Sequence, residues 1–332
     1  MAVSFAQELT VTEVYTLGRY GEVLLSQGSR LAVPTHAGEP GASAQAVRNA
    51  NILRSIVLDD GLTNQNPDPV IYPAPGLSAL NTLRGGDTTT GLSGVLTYFD
   101  PTEDFRIHPT GAVAWSHDTP RPAAPPVVPG TLTVVGMNTL NFFTTVDPGP
   151  DICGPLASLD CRGADSLTEF NRQRDKMLNV LIALDADIVG LNELENNAAA
   201  NPANDGTDPV LESIVDGLNA HFGAGTYDFI DTGVLGGDAI KVGFIYKTAT
   251  VSLVGNYAVL DSGVDPNFDT SRNRPALAQT FEEIASGEQL TVVVNHLKSK
   301  GLNCGGAPDD VPDVWGGNCN GTRTAAAAAV RV

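Results

Sequence analysis

The sequence predicts a small all-β domain followed by a larger α/β domain. Five prolines fall within residues 116–130, a stiff, extended stretch that marks the boundary between them. The grammar of apolar runs also changes there: short alternating runs precede it, and strands alternating with helices follow. A third observation concerns the later strands, which run into amide, carboxylate, imidazole and ammonium groups rather than ordinary turn residues.

Residues 1–115 carry about five strand-like runs. These are Leu9 to Val14, Gly21 to Leu25, Arg54 to Gly61, Gly91 to Tyr98 and Phe105 to His108. No long helical pattern separates them, so a small β-barrel or sandwich is expected. Beyond the proline stretch, Thr131 to Met137 is a strand leading to Asn138. Ser166-Leu-Thr-Glu169 fits a capping box, and Phe170, Met177, Leu178, Leu181 and Ile182 share one face of the helix that follows. Asp187 to Leu191 is a second strand, running into Asn192-Glu193. Ala239 to Tyr246 is a third. Leu290 to Asn295 is a fourth, β-branched from Thr291 to Val294, as expected for a strand covered on both faces.

Composition narrows the function classes. The chain has 332 residues and a net charge of −19, a poor match to gripping nucleic acid through a general basic field. Five lysines occur, four of them at positions 241, 247, 298 and 300. With Arg272 and Arg274 they point to a local anion site on an acidic surface. No apolar run is long enough for a membrane span, and the first residues lack the basic start and apolar core of a signal peptide. Cys153 and Cys161 are eight apart, and Cys304 and Cys319 fifteen apart, each pair in a loop rich in turn residues. Two local disulfides are the simplest of three pairings and imply an oxidising compartment; four free thiols are the alternative. Without a Cys-x-x-Cys or a histidine at ligand spacing, zinc is not expected.

Three strands thus lead to Asn138, Glu193 and His296. Side by side in one sheet, they would bring those side chains to one edge. A carboxylate beside an amide oxygen suits Mg2+ or Mn2+, an imidazole relays a proton, and Arg and Lys neutralise phosphate. Each signal has a bland counterpart: a solvated glutamate, a turn asparagine, a core histidine beside exposed lysines. Their coincidence favours metal-assisted phosphodiester hydrolysis.

Six blocks carry a more specific resemblance: Val134-Val-Gly-Met-Asn138-Thr-Leu-Asn-Phe-Phe, Phe170-Asn-Arg-Gln-Arg-Asp-Lys, Asp187-Ile-Val-Gly-Leu-Asn-Glu193-Leu-Glu-Asn-Asn, Gly237-Asp-Ala-Ile-Lys241-Val-Gly-Phe-Ile-Tyr, Ser271-Arg-Asn273-Arg274-Pro-Ala and Val294-Asn-His296-Leu-Lys298-Ser-Lys-Gly. Together they resemble the secreted bacterial nucleases of the ExeM/NucH type, within the endonuclease/exonuclease/phosphatase (deoxyribonuclease I-like) superfamily. The loop from Cys304 to Arg323 resembles that family's cystine loop. Leu58-Asp-Asp-Gly and Asn66-Pro-Asp-Pro resemble blocks of its preceding OB-like domain.

The resemblance implies an OB-like β domain over 1–115, a linker over 116–130, and a four-layer α/β sandwich over 131–332. It implies Glu193 as principal metal carboxylate, Asn138 orienting metal or phosphate, and His296 as one of two catalytic histidines. Arg274 with Asn273 would contact phosphate; Lys298 and Lys241 match family positions with less defined roles. The implied cofactor is Mg2+, with Mn2+ or Ca2+ as alternatives. The implied partner is nucleic acid, DNA first and RNA as an open alternative, with no protein partner and a secreted location.

The superfamily pattern also includes Gly-Asp-Phe-Asn and a final Ser-Asp-His, and neither occurs in these 332 residues. A C-terminally incomplete catalytic domain without significant nuclease activity and with exposed apolar sheet surface is therefore expected. Two alternatives stand: a phosphatase or phospholipid phosphodiesterase of the same superfamily, and a non-catalytic nucleic-acid-binding remnant.

Overall fold

The computed structural model describes residues 1–147, 149–197 and 207–331. Val332, where the expected catalytic domain ends, lies outside them. The chain divides into two compact units, residues 1–123 with 312–317, and residues 124–311 with 318–332.

In the first unit, the strands are β1 (Ala2–Ser4), β2 (Leu9–Glu13), β3 (Val23–Gln27), β4 (Ser55–Leu58), β5 (Thr88–Thr89), β6 (Ser93–Phe99) and β7 (Asp104–Pro109). They form one sheet in the order β1-β6-β7-β4-β3-β2-β5. Its pairs are antiparallel except β4 with β7. Alternation buries Leu9, Val11, Val23, Leu25, Leu58 and Ile107 in one cluster, the result of period-two patterning. Helices α1 (Leu17–Tyr20) and α2 (Pro34–Ala37) are single turns, whereas α3 (Ala42–Ile52) is a full helix. The sequence gives α3 little signal, because Ala44 alone of its residues is buried and no apolar stripe marks it. The stretch after Trp115 still belongs to this unit: Ser116 bridges to Thr88, whose hydroxyl donates to Asp118 at 2.8 Å.

The second unit is an α/β sandwich. One sheet holds β8 (Val134–Phe142), β9 (Ile188–Glu195), β10 (Tyr227–Phe229) and β11 (Ile240–Lys247) in the order β10-β11-β9-β8, with β8 and β9 parallel. The other holds β12 (Val251–Leu260), β13 (Arg274–Glu283) and β14 (Gln289–His296), antiparallel and in sequence order. Helices α4 (Leu167–Leu184) and α5 (Pro209–Phe222) cover the first sheet's outer face, Met177, Leu181, Leu211 and Ile214 meeting Val189 and Leu191. Between the sheets, Ile188, Val242 and Phe244 meet Leu277, Phe281 and Val294. A last helix, α6 (Asn320–Ala329), packs Ala326 and Ala329 near Ala276 on the second sheet's outer face. Both local disulfides are present. No helix among the described residues is long and apolar enough to cross a membrane.

The capping box at α4 forms, with Glu169 N–H donating to Ser166 Oγ at 3.3 Å. The reciprocal bond goes one residue earlier, from Asp165 N–H to Glu169 Oε2 at 3.1 Å. Strand β14 departs from expectation. It is an edge strand whose Thr291 and Val293 face out while Val294 faces in, so its β-branched run reflects strand propensity rather than burial on both faces. Val293 is 38% exposed, and Leu253 on the same sheet is 40% exposed.

Asp187 anchors the start of β9. Its Oδ2 accepts from Thr133 N–H at 2.8 Å and Thr133 Oγ1 at 2.7 Å. Burial raises its pKa, but these bonds, one from Thr250 and the charge of Lys247 outweigh it, leaving the pKa below the ordinary 3.8. A depressed carboxylate contributes stability that is present above its unfolded pKa and lost as pH falls through its folded one. Asp187→Asn is therefore expected to destabilise the protein at neutral pH and to flatten the loss of stability below about pH 4. Urea melts across pH 2.5–7 check this; a parallel downward shift at every pH would contradict it.

Candidate active site

The site forms where β9 and β14 face each other from opposite sheets. Gly190 permits the approach, since a Cβ there would lie 2.5 Å from Val294 Cγ2. Further along, Asn192 Nδ2 donates to the Asn295 carbonyl at 3.3 Å. The next residue on each strand is Glu193 and His296, with Glu193 Oε1 3.5 Å from His296 Nε2.

This corrects the expectation that Asn138, Glu193 and His296 share one sheet. Strands β8 and β9 are neighbours, but β14 belongs to the other sheet, and stacking rather than pairing brings His296 in. Alternation cannot reveal which sheet a strand joins.

Strand β8 supplies a bulge. Its register with β9 slips between Asn138 and Phe142, and Leu140, Asn141 and Glu193 take φ of 57°, 55° and 64°. Non-glycine residues hold this left-handed conformation only where neighbours impose it, at roughly 1–3 kcal/mol each. Several groups impose it here. Asn138 Oδ1 accepts from Leu140 N–H at 2.8 Å. Thr139 Oγ1 donates to the carbonyls of Asn192 and Glu193 at 2.9 and 3.1 Å. From α4, Gln173 Nε2 donates to the Leu140 carbonyl at 2.9 Å and to Thr139 at 3.2 Å. The bulge presents Asn141 N–H to Glu193 Oε2 at 3.2 Å, which fixes the carboxylate from one side.

Cations approach from the other side. Arg274 lies opposite His296 in the β13–β14 register, and its guanidinium is bound by Asp238. Asp238 also takes Arg162 Nη2 at 2.8 Å, and Arg162 directly follows the Cys153–Cys161 bridge. Burial raises the Asp238 pKa, but Arg274 and Arg162 outweigh it and hold the carboxyl below its ordinary range. For His296, burial and then Arg274 lower the pKa, with Glu193 and Asp238 opposing. The imidazole is thus neutral at neutral pH.

Three buried atoms at this place have no hydrogen-bond partner among the described residues: Asn192 Oδ1, His296 Nδ1 and Arg274 Nε. Buried polar atoms are rarely left so. The Asn192 amide oxygen and the neighbouring Glu193 carboxylate are hard-oxygen donors, which fit a cation such as Mg2+. An unpartnered imidazole nitrogen and guanidinium N–H fit a phosphate.

The remaining sequence candidates have other surroundings. Lys241 is fully buried, with Nζ 2.6 Å from both Asp208 Oδ2 and the Gly233 carbonyl. Asn273 is 2% exposed; its Oδ1 accepts from Lys298 N–H at 2.9 Å and its Nδ2 donates to the Asp269 carbonyl at 2.9 Å. Lys298 Nζ donates to the Ser299 carbonyl at 2.9 Å. Burial first, then Arg274, Arg272 and Arg323, push that ammonium's pKa down. Lys298 borders a cavity of about 590 Å3 that Asp238, Arg272 and Arg274 also line. Asn138 is exposed and lies opposite Asn192 in register.

Sequence reasoning missed Asp238, Arg162, Gln173 and Asn192. Asn192 had a signal, standing directly before Glu193. Gln173 and Arg162 had none, because a helix surface and a loop carry no strand-end position.

No family model matches the chain, and no curated protein matches it. Solved structures similar to it include the catalytic domain of human Nocturnin with bound sulfate anion, at 19% identity over 40% of this chain and 44% of that one, with a TM-score of 0.26. ANGEL2, a 2',3'-cyclic phosphatase, matches at 16% identity over 37% of this chain and 30% of that one, also with a TM-score of 0.26. Its complex with adenosine-2',3'-vanadate gives 16%, 37%, 31% and 0.26 for the same measures. The chain spans less than half the length of each of these structures.

Proposed function

We propose that the second unit carries the Glu193 and His296 half of a divalent-metal-dependent phosphodiester hydrolase of the endonuclease/exonuclease/phosphatase type, acting on nucleic acid with DNA favoured. The observation that carries this reading is the meeting of Glu193 with His296, 3.5 Å apart, beside the Asp238-held Arg274 and the unpartnered amide oxygen of Asn192. A divalent cation supplies Lewis acidity toward a phosphoryl oxygen. Glu193 and Asn138, with the amide oxygen of Asn192, would hold it. Arg274, aimed by Asp238, neutralises phosphate charge. Neutral His296 handles a proton at an imidazole nitrogen.

The six sequence blocks support the nuclease reading over a phosphatase or a phospholipid phosphodiesterase. The first unit is consistent with an OB-like module, supported by its β6-β7-β4-β3-β2 order with one parallel pair. Two disulfides support an extracellular setting.

These 332 residues contain neither Gly-Asp-Phe-Asn nor Ser-Asp-His, so metal binding without efficient turnover is expected. Calorimetry should detect Mg2+ or Mn2+ binding, and Glu193→Ala should weaken it by about a hundredfold or more. Incubation with plasmid DNA and with small phosphoesters should show no metal-dependent cleavage above buffer. Absence of metal binding in the unaltered chain would leave the non-catalytic reading in its place, and robust plasmid cleavage would overturn the half-site reading.

A further inference from the structure

Leu140 lies in the bulge that fixes Glu193, with φ at 57°, a conformation unfavourable to any residue that carries a Cβ. It is also 76% exposed. The bulge itself needs no side chain there, because its bonds at this residue run through the backbone. Asn138 Oδ1 accepts from the Leu140 N–H, and Gln173 Nε2 donates to the Leu140 carbonyl. Glycine would take this backbone more readily, and a polar side chain would meet water at less cost. The next residue, Asn141, gives its N–H to Glu193. A leucine held out into solvent at that place is accounted for by neither packing nor turn chemistry. Strain of this kind gathers where ligands are contacted.

Leu140 lines a cavity of about 400 Å3 with Asn141, Gln173, Arg162, Arg172 and Lys176. Arg162 reaches Asp238, Arg172 lies 3.7 Å from Glu169 in an exposed pair, and Lys176 makes no ion pair among the described residues. These three cations outnumber the carboxylates of Asp165 and Glu169 in the lining, on a chain of net charge −19. That local excess suits a phosphate flanking the one at Glu193. The Asn141 side-chain amide makes no hydrogen bond among the described residues, and Gln173 spends only its Nε2. Amides of this kind pair with the edges of bases. Leu140 supplies what neither ion nor amide does, an apolar surface for the flat face of a base. A small phosphoester offers nothing to that surface. In a duplex, neighbouring bases cover each face and the partner strand takes the pairing edge. An unpaired base leaves both free for Leu140 and the amides.

We propose that Leu140 packs against an unpaired base next to the phosphate at Glu193, so that the site takes single-stranded nucleic acid. This rests on the phosphodiester reading of the site, which Mg2+ titration of the unaltered chain tests separately. With Mg2+ present, fluorescence anisotropy compares a labelled twelve-residue oligothymidylate, an abasic chain with the same phosphates, and a twelve-pair dA·dT duplex. Oligothymidylate should bind best. Leu140→Gly should weaken it about tenfold, while the abasic chain binds both proteins alike. Because glycine suits this backbone, the variant's melting temperature should not fall. Leu140→Met keeps the apolar surface and should retain most of the affinity for oligothymidylate. Mg2+ binding without a preference for oligothymidylate over the abasic chain, or an affinity indifferent to Leu140→Gly, would overturn the base contact and leave the metal site standing. Tighter binding of the duplex, with the same loss in Leu140→Gly, would make Leu140 a wedge between paired bases and overturn the single-strand assignment. Absence of Mg2+ binding would overturn both readings.

Discussion

Asp208→Ala is expected to destabilise the protein by about 3–5 kcal/mol, most of it from stranding a buried cation. Asp208 and Lys241 are both fully buried, with Oδ2 and Nζ 2.6 Å apart. The same carboxylate caps α5, accepting from Leu211 N–H at 3.3 Å, and loss of such a cap costs about 1 kcal/mol. Removing it therefore unseats a helix start and leaves a fully buried ammonium without its carboxylate. Neutralising both partners should cost much less than the single change, because well-packed neutral groups replace buried pairs at little loss. Denaturant melts of Asp208→Ala, Lys241→Met and the double variant form a cycle, and a strongly non-additive result is expected. A double variant as unstable as the two single changes summed would contradict it. The cycle also bears on function. A lysine that serves the scaffold changes stability, whereas one that contacts phosphate changes anion affinity in a protein that remains folded.

Lys241 shows what a sequence leaves unsaid. A cation in a strand, near other cations in sequence, has the same letters whether it faces a cleft or a buried aspartate. The deciding partner lies 33 residues away, in a helix start that carries no outward sign of its pairing. Glu193 and His296 were legible because apolar β-branched runs give no reason for a carboxylate or an imidazole to follow them. Their relation was not legible. Asn138 and Glu193 were expected at strand ends, yet both strands continue past them through a bulge, because left-handed residues keep the chain paired while turning side chains. Strands β12 and β13 and helix α5 left weaker traces still. Pro275 interrupts the reading of β13, although it sits at a register slip, where a missing N–H is tolerated. The α4 prediction succeeded for the opposite reason: its cap and apolar face are local, and local rules settle them.

The meeting of the two sheets at Gly190 leads to the second large expected effect. Gly190→Ala places a Cβ 2.5 Å from Val294 Cγ2 and 3.6 Å from Phe244 Cε1, against roughly 3.5–4.0 Å for carbon contacts at rest. Relief by rotation is limited, because Val294 is only 7% exposed and β-branching restricts its χ1. The strands must separate instead. Overpacking of this kind costs about 1–3 kcal/mol, but the larger consequence falls on the site. Glu193 rides on β9 and His296 on β14, so separation by a fraction of an ångström acts directly on their 3.5 Å approach and on the Asn192–Asn295 bond. Mg2+ affinity should therefore fall about tenfold, although no ligand has been changed. Val294→Ala removes the obstructing methyls, and the Gly190→Ala/Val294→Ala pair should regain metal affinity while remaining less stable than the unaltered chain. Calorimetry and urea melts on the three variants separate these effects. Metal affinity that follows stability in every variant would mean that Gly190 acts on folding alone; recovery of affinity without recovery of stability would tie the site to the spacing of the sheets.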